Sequence, residues 1–228
     1  MENKGTMTAE KGIIFDMDGV IVDSELHWKV VETAFLSSLL PAWGNSDQSQ
    51  IIGLSMDHLY SLLVKDYGLQ HRREQFLALY DEMANDVYLL RSALLPGVKE
   101  LLAQLQHQSI PIALASSSPK RWIRLVLHRF QLQEFFRVVV SADDLQGEGK
   151  PSPAIYRLTA SQLGVIAPQC IVIEDSRNGV LAAKRAQMYC VGLRNGFNEE
   201  QDLSQADLII HNFSELSQRL FQELLKPS

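Results

Sequence analysis

The sequence predicts an α/β protein with a doubly wound, mostly parallel sheet and an inserted α-helical cap. Three observations predict it. Short apolar, β-branched runs recur along the chain, at Gly12 to Phe15, Ile110 to Ala115, Phe136 to Val140, Cys170 to Ile173, Tyr189 to Leu193 and Asp207 to Ile210. Near-continuous apolar runs of this length read as strands buried on both faces, the mark of a parallel sheet covered by helices. Between several of them lie stretches of helical period short enough for βαβ crossovers. One gap is different: the 70 residues from Leu26 to Leu95 are helical in pattern throughout, far more than a crossover needs.

Each element has a local signal. Pro96-Gly97 precedes VKELLAQLQHQ, Pro119 stands just inside RWIRLVLHRF, Pro151 and Pro153 precede AIYRLTASQL, and Asn178-Gly179 precedes VLAAKRAQ. Proline near a first turn supplies the right φ where its missing N–H costs little. The long gap divides into HWKVVETAFLSSLL, MDHLYSLLVKDYG and REQFLALYDEMANDVYLL, interrupted at Ile51 to Ser55 by an expected loop facing the core. The expected division is a core of residues 1–25 and 96–228 and a cap of residues 26–95.

Composition narrows the function. The formal charge is −6, the pI is about 5.5, and no Lys/Arg-rich stripe is present that would track a phosphate backbone, so nucleic acid is not an expected partner. No apolar run approaches the about 20 residues that span a bilayer, and the first ten lack a signal-peptide pattern. The two cysteines, Cys170 and Cys190, sit in or beside strand-like runs and read as a reduced, structural pair. A cytoplasmic protein, monomeric or weakly dimeric, is expected. The six histidines show no paired spacing for zinc. His27 reads as structural, Trp28 and Trp43 as cap packing, and Met56 and Met83 as fillers of helical contacts.

The chemistry lies where the strands end, because ligands of open α/β sheets sit outside the carboxyl ends of the strands. The first strand leaves through Asp16-Met17-Asp18-Gly19, and residues two apart on an extended chain point the same way. Two carboxylates therefore share one outlook. The second strand leaves through Ala115-Ser116-Ser117-Ser118-Pro119, which places hydroxyls and the N–H groups of a nascent helix at that edge, a favourable setting for phosphate oxygens. Lys150 follows the third strand, held between Gly149 and Pro151, and Glu174-Asp175-Ser176 follows the fourth. So many acids at one mouth call for a divalent cation, and magnesium favours carboxylates, water and phosphate oxygens.

Phe15-Asp16-Met17-Asp18-Gly19-Val20, Ser116, Lys150 and Glu174-Asp175 together resemble the four motifs of the haloacid-dehalogenase-like superfamily, in order. Asp23 to Trp28 with Ala115 to Pro119 is similar to its sugar- and hexitol-phosphate phosphatases and, more distantly, to β-phosphoglucomutase. The resemblance implies a Rossmann-like core, a helical cap after the first motif, and magnesium-dependent hydrolysis of a small phosphate ester through an aspartyl-phosphate. Asp16 would be the nucleophile and Asp18 the acid and base. Asp16, the Asp18 backbone carbonyl and Asp175 would hold magnesium directly and Glu174 through water, while Ser116, Ser117 and Lys150 would hold phosphate. The rivals are a sugar phosphomutase and a non-catalytic, receiver-like phosphoacceptor. Met56 stands where β-phosphoglucomutase-like proteins carry an arginine for a second phosphate, and residues 26–95 hold five Lys/Arg against eight Asp/Glu, so a phosphatase is expected.

Overall fold

A computed structural model describes residues 11–44, 47, 51, 54–145 and 149–216. Six parallel strands form one sheet in the order β3-β2-β1-β4-β5-β6: β1 Gly12–Phe15, β2 Ile112–Ser116, β3 Val138–Ser141, β4 Cys170–Glu174, β5 Tyr189–Leu193 and β6 Leu208–Ile210. The sheet grows from β1 to β3 on one side and then restarts beside β1 with β4. β1 is thus the switch point at which an open sheet offers a crevice. The register pairs Phe15 with Leu114 on one side and Ile173 on the other, so the chain leaves β1 level with the end of β4.

Side chains alternate across β1, with Ile13 and Phe15 entering one apolar cluster and Ile14 the other. The first cluster packs under helices α4, Val98–His107, and α5, Lys120–Phe130; the second packs under α6, Ala154–Leu163, and α7, Arg177–Arg185. Burial on both faces explains the unbroken apolar runs.

Local competition moves some boundaries. β3 starts at Val138 because Gln133–Phe135 forms a 3-10 turn up to Phe136. Helix α7 begins before Asn178-Gly179 instead of after it. Ser176 caps it, its Oγ accepting from Gly179 N at 3.0 Å, and this cap outweighs the turn tendency of Asn-Gly.

The long insert contains α1, Ser24–Leu39, α2, Met56–Tyr67, and α3, Arg73–Asn85, which runs into a π-helical turn at Asp86–Arg91. Of the loop expected at Ile51 to Ser55, Ile52 and Gly53 lie outside the described residues. The two connections of the insert are stitched together: Asp23 N donates to Ala93 O at 3.1 Å, Ala93 N to Asp23 Oδ1 at 2.6 Å, and Leu95 N to Ile21 O at 3.0 Å. Phe76, Tyr80, Ala84, Leu36 and Leu63 are fully or almost fully buried between these helices. Truncating a leucine at such a site costs about 2–5 kcal/mol, and these residues belong to the same apolar cluster as Phe15 and Ile173 of the sheet, so the insert packs continuously with it. No helix among the described residues is long and apolar enough to cross a membrane.

Candidate active site

The chain leaves β1 in a tight turn, with Ile21 N donating to Met17 O and Gly19 N to Val22 O, both at 2.8 Å. Gly19 has φ +74°, and a Cβ there would lie 1.9 Å from Asp175 Oδ2. Only glycine both tolerates that backbone and lets the β1 turn approach the end of β4. Asp16 N is fixed by Ile173 O at 3.0 Å.

Lys150 Nζ is buried between two carboxylates, donating to Asp16 Oδ1 and to Glu174 Oε1, each at 2.6 Å. Burial alone would lower its pKa, but the two acids raise it, so the ammonium stays charged. Glu174 is saturated with donors. Oε1 also accepts from Tyr156 Oη at 2.7 Å, and Oε2 accepts from Asp175 N, Ser176 N and Ser176 Oγ at 3.0 to 3.1 Å. Burial pushes this carboxyl up, yet Lys150 and the other donors hold it below the usual value, and it is an anion. A Cβ on Gly179 would fall 1.7 Å from Glu174 Oε1, so the first turn of α7 is shaped around this side chain.

Asp16 and Asp175 are treated differently. Burial, repulsion by Glu174 and repulsion by Asp18 raise Asp16 to about 8 although Lys150 opposes them. Asp175 is likewise raised, by burial and by Glu174, Glu25 and Asp16. Asn195 Nδ2 bridges Gly19 O at 2.8 Å and Asp175 Oδ2 at 3.1 Å, and Asn198 Nδ2 ties Asp175 O to Leu193 O. Asp16 Oδ2 and Asp175 Oδ1 have no donor among the described residues. Asp16, Glu174 and Asp175 present ligand oxygens within 4.8 Å of one another. Hard oxygen donors with excess negative charge suit a divalent cation, which would relieve the repulsion that holds the two aspartyl groups up.

Asp18 is held by hydroxyls. Oδ1 accepts from Ser24 Oγ at 2.6 Å and from Tyr88 Oη at 2.7 Å, and Oδ2 accepts from Ser118 Oγ at 2.8 Å. Hydroxyls can donate or accept by rotation, so this setting suits a carboxyl in either protonation state.

Asp16, Asp18, Ser117, Lys150 and Asp175 line one cavity of about 80 Å³, closed on the insert side by Glu25, Trp28, Glu32, Leu54, Met56 and Tyr88 among others. Ser116 lies beneath it, buried, with its Oγ accepting from Ser118 N at 3.0 Å, and Glu174 stands behind Lys150 rather than on the wall. Trp28 packs as expected, stacked on Tyr80 and Trp122, and also borders the cavity. Trp43 is buried against Tyr67. Sequence reasoning missed Ser24, Tyr88, Tyr156, Asn195 and Asn198. Asn195 stands two residues beyond the end of β5, and inspecting that strand's exit would have found it; Tyr88 lies 70 residues from Asp18 with no local signal.

Residues 13–193 match the family described as haloacid dehalogenase-like hydrolase. A phosphoglycolate phosphatase of Yersinia pestis is 31% identical over 214 residues, covering 91% of this chain and 92% of the relative. Hexitol phosphatase B of Escherichia coli K12 is 33% identical over 180 residues, covering 77% and 79%. Among solved structures, β-phosphoglucomutase from Clostridium difficile superposes with a TM-score of 0.77 at 26% identity, covering 95% of this chain and 97% of its own.

Proposed function

Because the chain belongs to the haloacid dehalogenase-like hydrolase family, we propose that it is a magnesium-dependent phosphatase of small sugar or polyol phosphates that works through an aspartyl-phosphate on Asp16. The observation that carries this reading is the meeting of Asp16, Asp18, Lys150 and Asp175 around one cavity at the switch point of the sheet.

Asp16 Oδ2 and Asp175 Oδ1, with the backbone carbonyl of Asp18, would hold the cation. Once bound, magnesium supplies positive charge that keeps Asp16 ionised and offsets its repulsion of the phosphate. Glu174 acts on this reading by fixing Lys150, since its own oxygens are filled with donors. Asp16 attacks phosphorus as the ester P–O bond breaks, and Asp18 hands its proton to the departing alkoxide oxygen. Asp18, now ionised, takes a proton from water as that water attacks phosphorus and releases Asp16. Lys150 balances charge on the equatorial oxygens and Ser117, which lines the cavity, donates to them, with Ser116 supporting the turn beneath.

Residues 26–95 serve as a cap that excludes water from the leaving-group side. Arg121 Nε and Trp122 Nε1 of α5 both donate to Asp81 Oδ1 of α3 at 2.6 Å, which supports a closed arrangement. Hydrolysis is favoured over phosphate transfer between sugar hydroxyls because Lys150 is the one cation among the described lining residues, and Met56 is part of the wall. Cys170 and Cys190 are buried free thiols, which fits a reducing cytoplasm. All the groups named come from one chain, so a monomer or weak homodimer suffices.

A panel of sugar, polyol and small-acid phosphates, assayed with magnesium and with chelator, tests the reading. It includes glucose 1-phosphate primed by a bisphosphate. Magnesium-dependent release of phosphate without isomerisation is expected; efficient isomerisation makes the protein a mutase.

A further inference from the structure

We propose that the face of α1 bearing Glu25 and Glu32 selects the leaving group, admitting neutral polyhydroxylated alcohols and rejecting alcohols that carry a carboxylate; the proposal rests on the phosphatase reading above. Glu25, Trp28 and Glu32 are spaced by three and four residues, share one side of α1, and all line the cavity that contains Asp16 and Asp18.

The two acids are presented in different ways. Glu32 is buried, and Tyr80 Oη donates to its Oε1 at 2.7 Å, which fixes the carboxylate in place. Glu25 is half-buried in the first turn of α1 and has no hydrogen-bond donor among the described residues. Burial and the charges of Asp18, Glu32 and Asp16 raise its pKa, the state of an acid still lacking donors. Hydroxyl groups of a bound polyol would supply them.

A carboxylate on the leaving group would meet the opposite situation. Lys150 is the only cation among the described lining residues, and it is already engaged by Asp16 and Glu174. An anion placed beside Glu25 and Glu32 would be buried against two acid groups with no cation left to pair with it, a strong form of discrimination. The 31% identical relatives named phosphoglycolate phosphatase therefore do not predict the preferred ester of this chain.

The test compares kcat/KM for sorbitol 6-phosphate, phosphoglycolate and phosphoethanolamine with magnesium, using p-nitrophenyl phosphate as an ester without a polyol. The unsubstituted enzyme is expected to favour sorbitol 6-phosphate over phosphoglycolate by about 100-fold or more, as sites built for hydroxyl recognition do. Glu25→Gln and Glu32→Gln should each narrow that ratio by about 10-fold, through a higher KM for the polyol ester and a lower one for phosphoglycolate. Because the readout is a ratio within one preparation, partial misfolding does not mimic it. An unchanged ratio in both variants overturns the proposal, as does an unsubstituted enzyme that prefers phosphoglycolate or phosphoethanolamine. If p-nitrophenyl phosphate is turned over while these fail, only the proposal falls; if no ester is turned over, the phosphatase reading falls and takes the proposal with it.

Discussion

Tyr88 donates its hydroxyl to Asp18 Oδ1 at 2.7 Å, joining the π-helical turn that ends the insert to the second aspartate of the β1 turn. The Tyr88 hydroxyl oxygen accepts from Trp28 Nε1 at 3.1 Å and lies 3.3 Å from Ser118 Oγ. Tyr88 is fully buried, and its position is set by packing against Trp28 and Trp122. On the proposed mechanism, proton transfer by Asp18 would thereby be tied to the placement of the insert.

Removing that hydroxyl in Tyr88→Phe is expected to lower kcat for alkyl phosphates by about 10-fold, within the range of general acid–base contributions. The loss should be much smaller for p-nitrophenyl phosphate, whose leaving group needs little protonation. Asp18→Asn should show the same ordering with a larger effect. Steady-state assays with both esters check this, and equal losses on the two would contradict a role acting through Asp18.

Among the described residues, Lys150 is the only charge compensating Asp16 and Glu174 at hydrogen-bond distance. Substituting methionine preserves most of the volume and removes the ammonium, leaving acids buried without it. Breaking a buried pair in this way costs about 3–5 kcal/mol, so Lys150→Met should lose that much in denaturant unfolding as well as its turnover. A loss below about 1 kcal/mol would mean that the acids find other partners or protonate at little cost.

Without metal, stability should depend on pH through Asp16. Its carboxyl is raised to about 8, mainly by burial, whereas an exposed aspartate titrates near 3.9. Between those values the folded protein holds a proton that the unfolded chain has released, so this contribution to stability declines as pH rises through the window. Asp175 is raised as well and acts in the same sense. Glu174, displaced downward, acts oppositely, its contribution being lost as pH falls below the ordinary glutamate range. Magnesium favours the ionised aspartates, so its addition should raise Tm more at about pH 8 than at about pH 5. Thermal melts with magnesium and with chelator at the two values provide the comparison; equal shifts would argue that Asp16 and Asp175 are not the groups that bind.

The strand exits were legible because a doubly wound sheet writes buried strands as apolar runs and places its chemistry directly after them. Asp16, Asp18, Ser117 and Asp175 follow that rule and share one cavity with Lys150, which stands nine residues beyond the end of β3. The partners that set their properties obey no such local rule. Tyr88 and Asn195 reach Asp18 and Asp175 through tertiary packing across 70 and 20 residues. Glu174 and Asp175 are adjacent and chemically alike, and only the folded chain separates them, by filling one carboxylate with Lys150, Tyr156 and the Ser176 cap. The start of α7 was hidden for a related reason, since Asn178-Gly179 reads as a turn until Ser176 is seen to cap the helix.

On the proposed mechanism, Asp16 becomes phosphorylated during turnover. Mixing the enzyme with magnesium and a phosphate ester, quenching in acid within the first turnover and digesting at low pH exposes the peptides to mass spectrometry. The expected result is one added phosphoryl group on the peptide containing Asp16, absent from Asp16→Asn, which also loses turnover while remaining folded. Phosphoryl label on a different residue, or turnover by Asp16→Asn at the rate of the unsubstituted enzyme, would contradict the account.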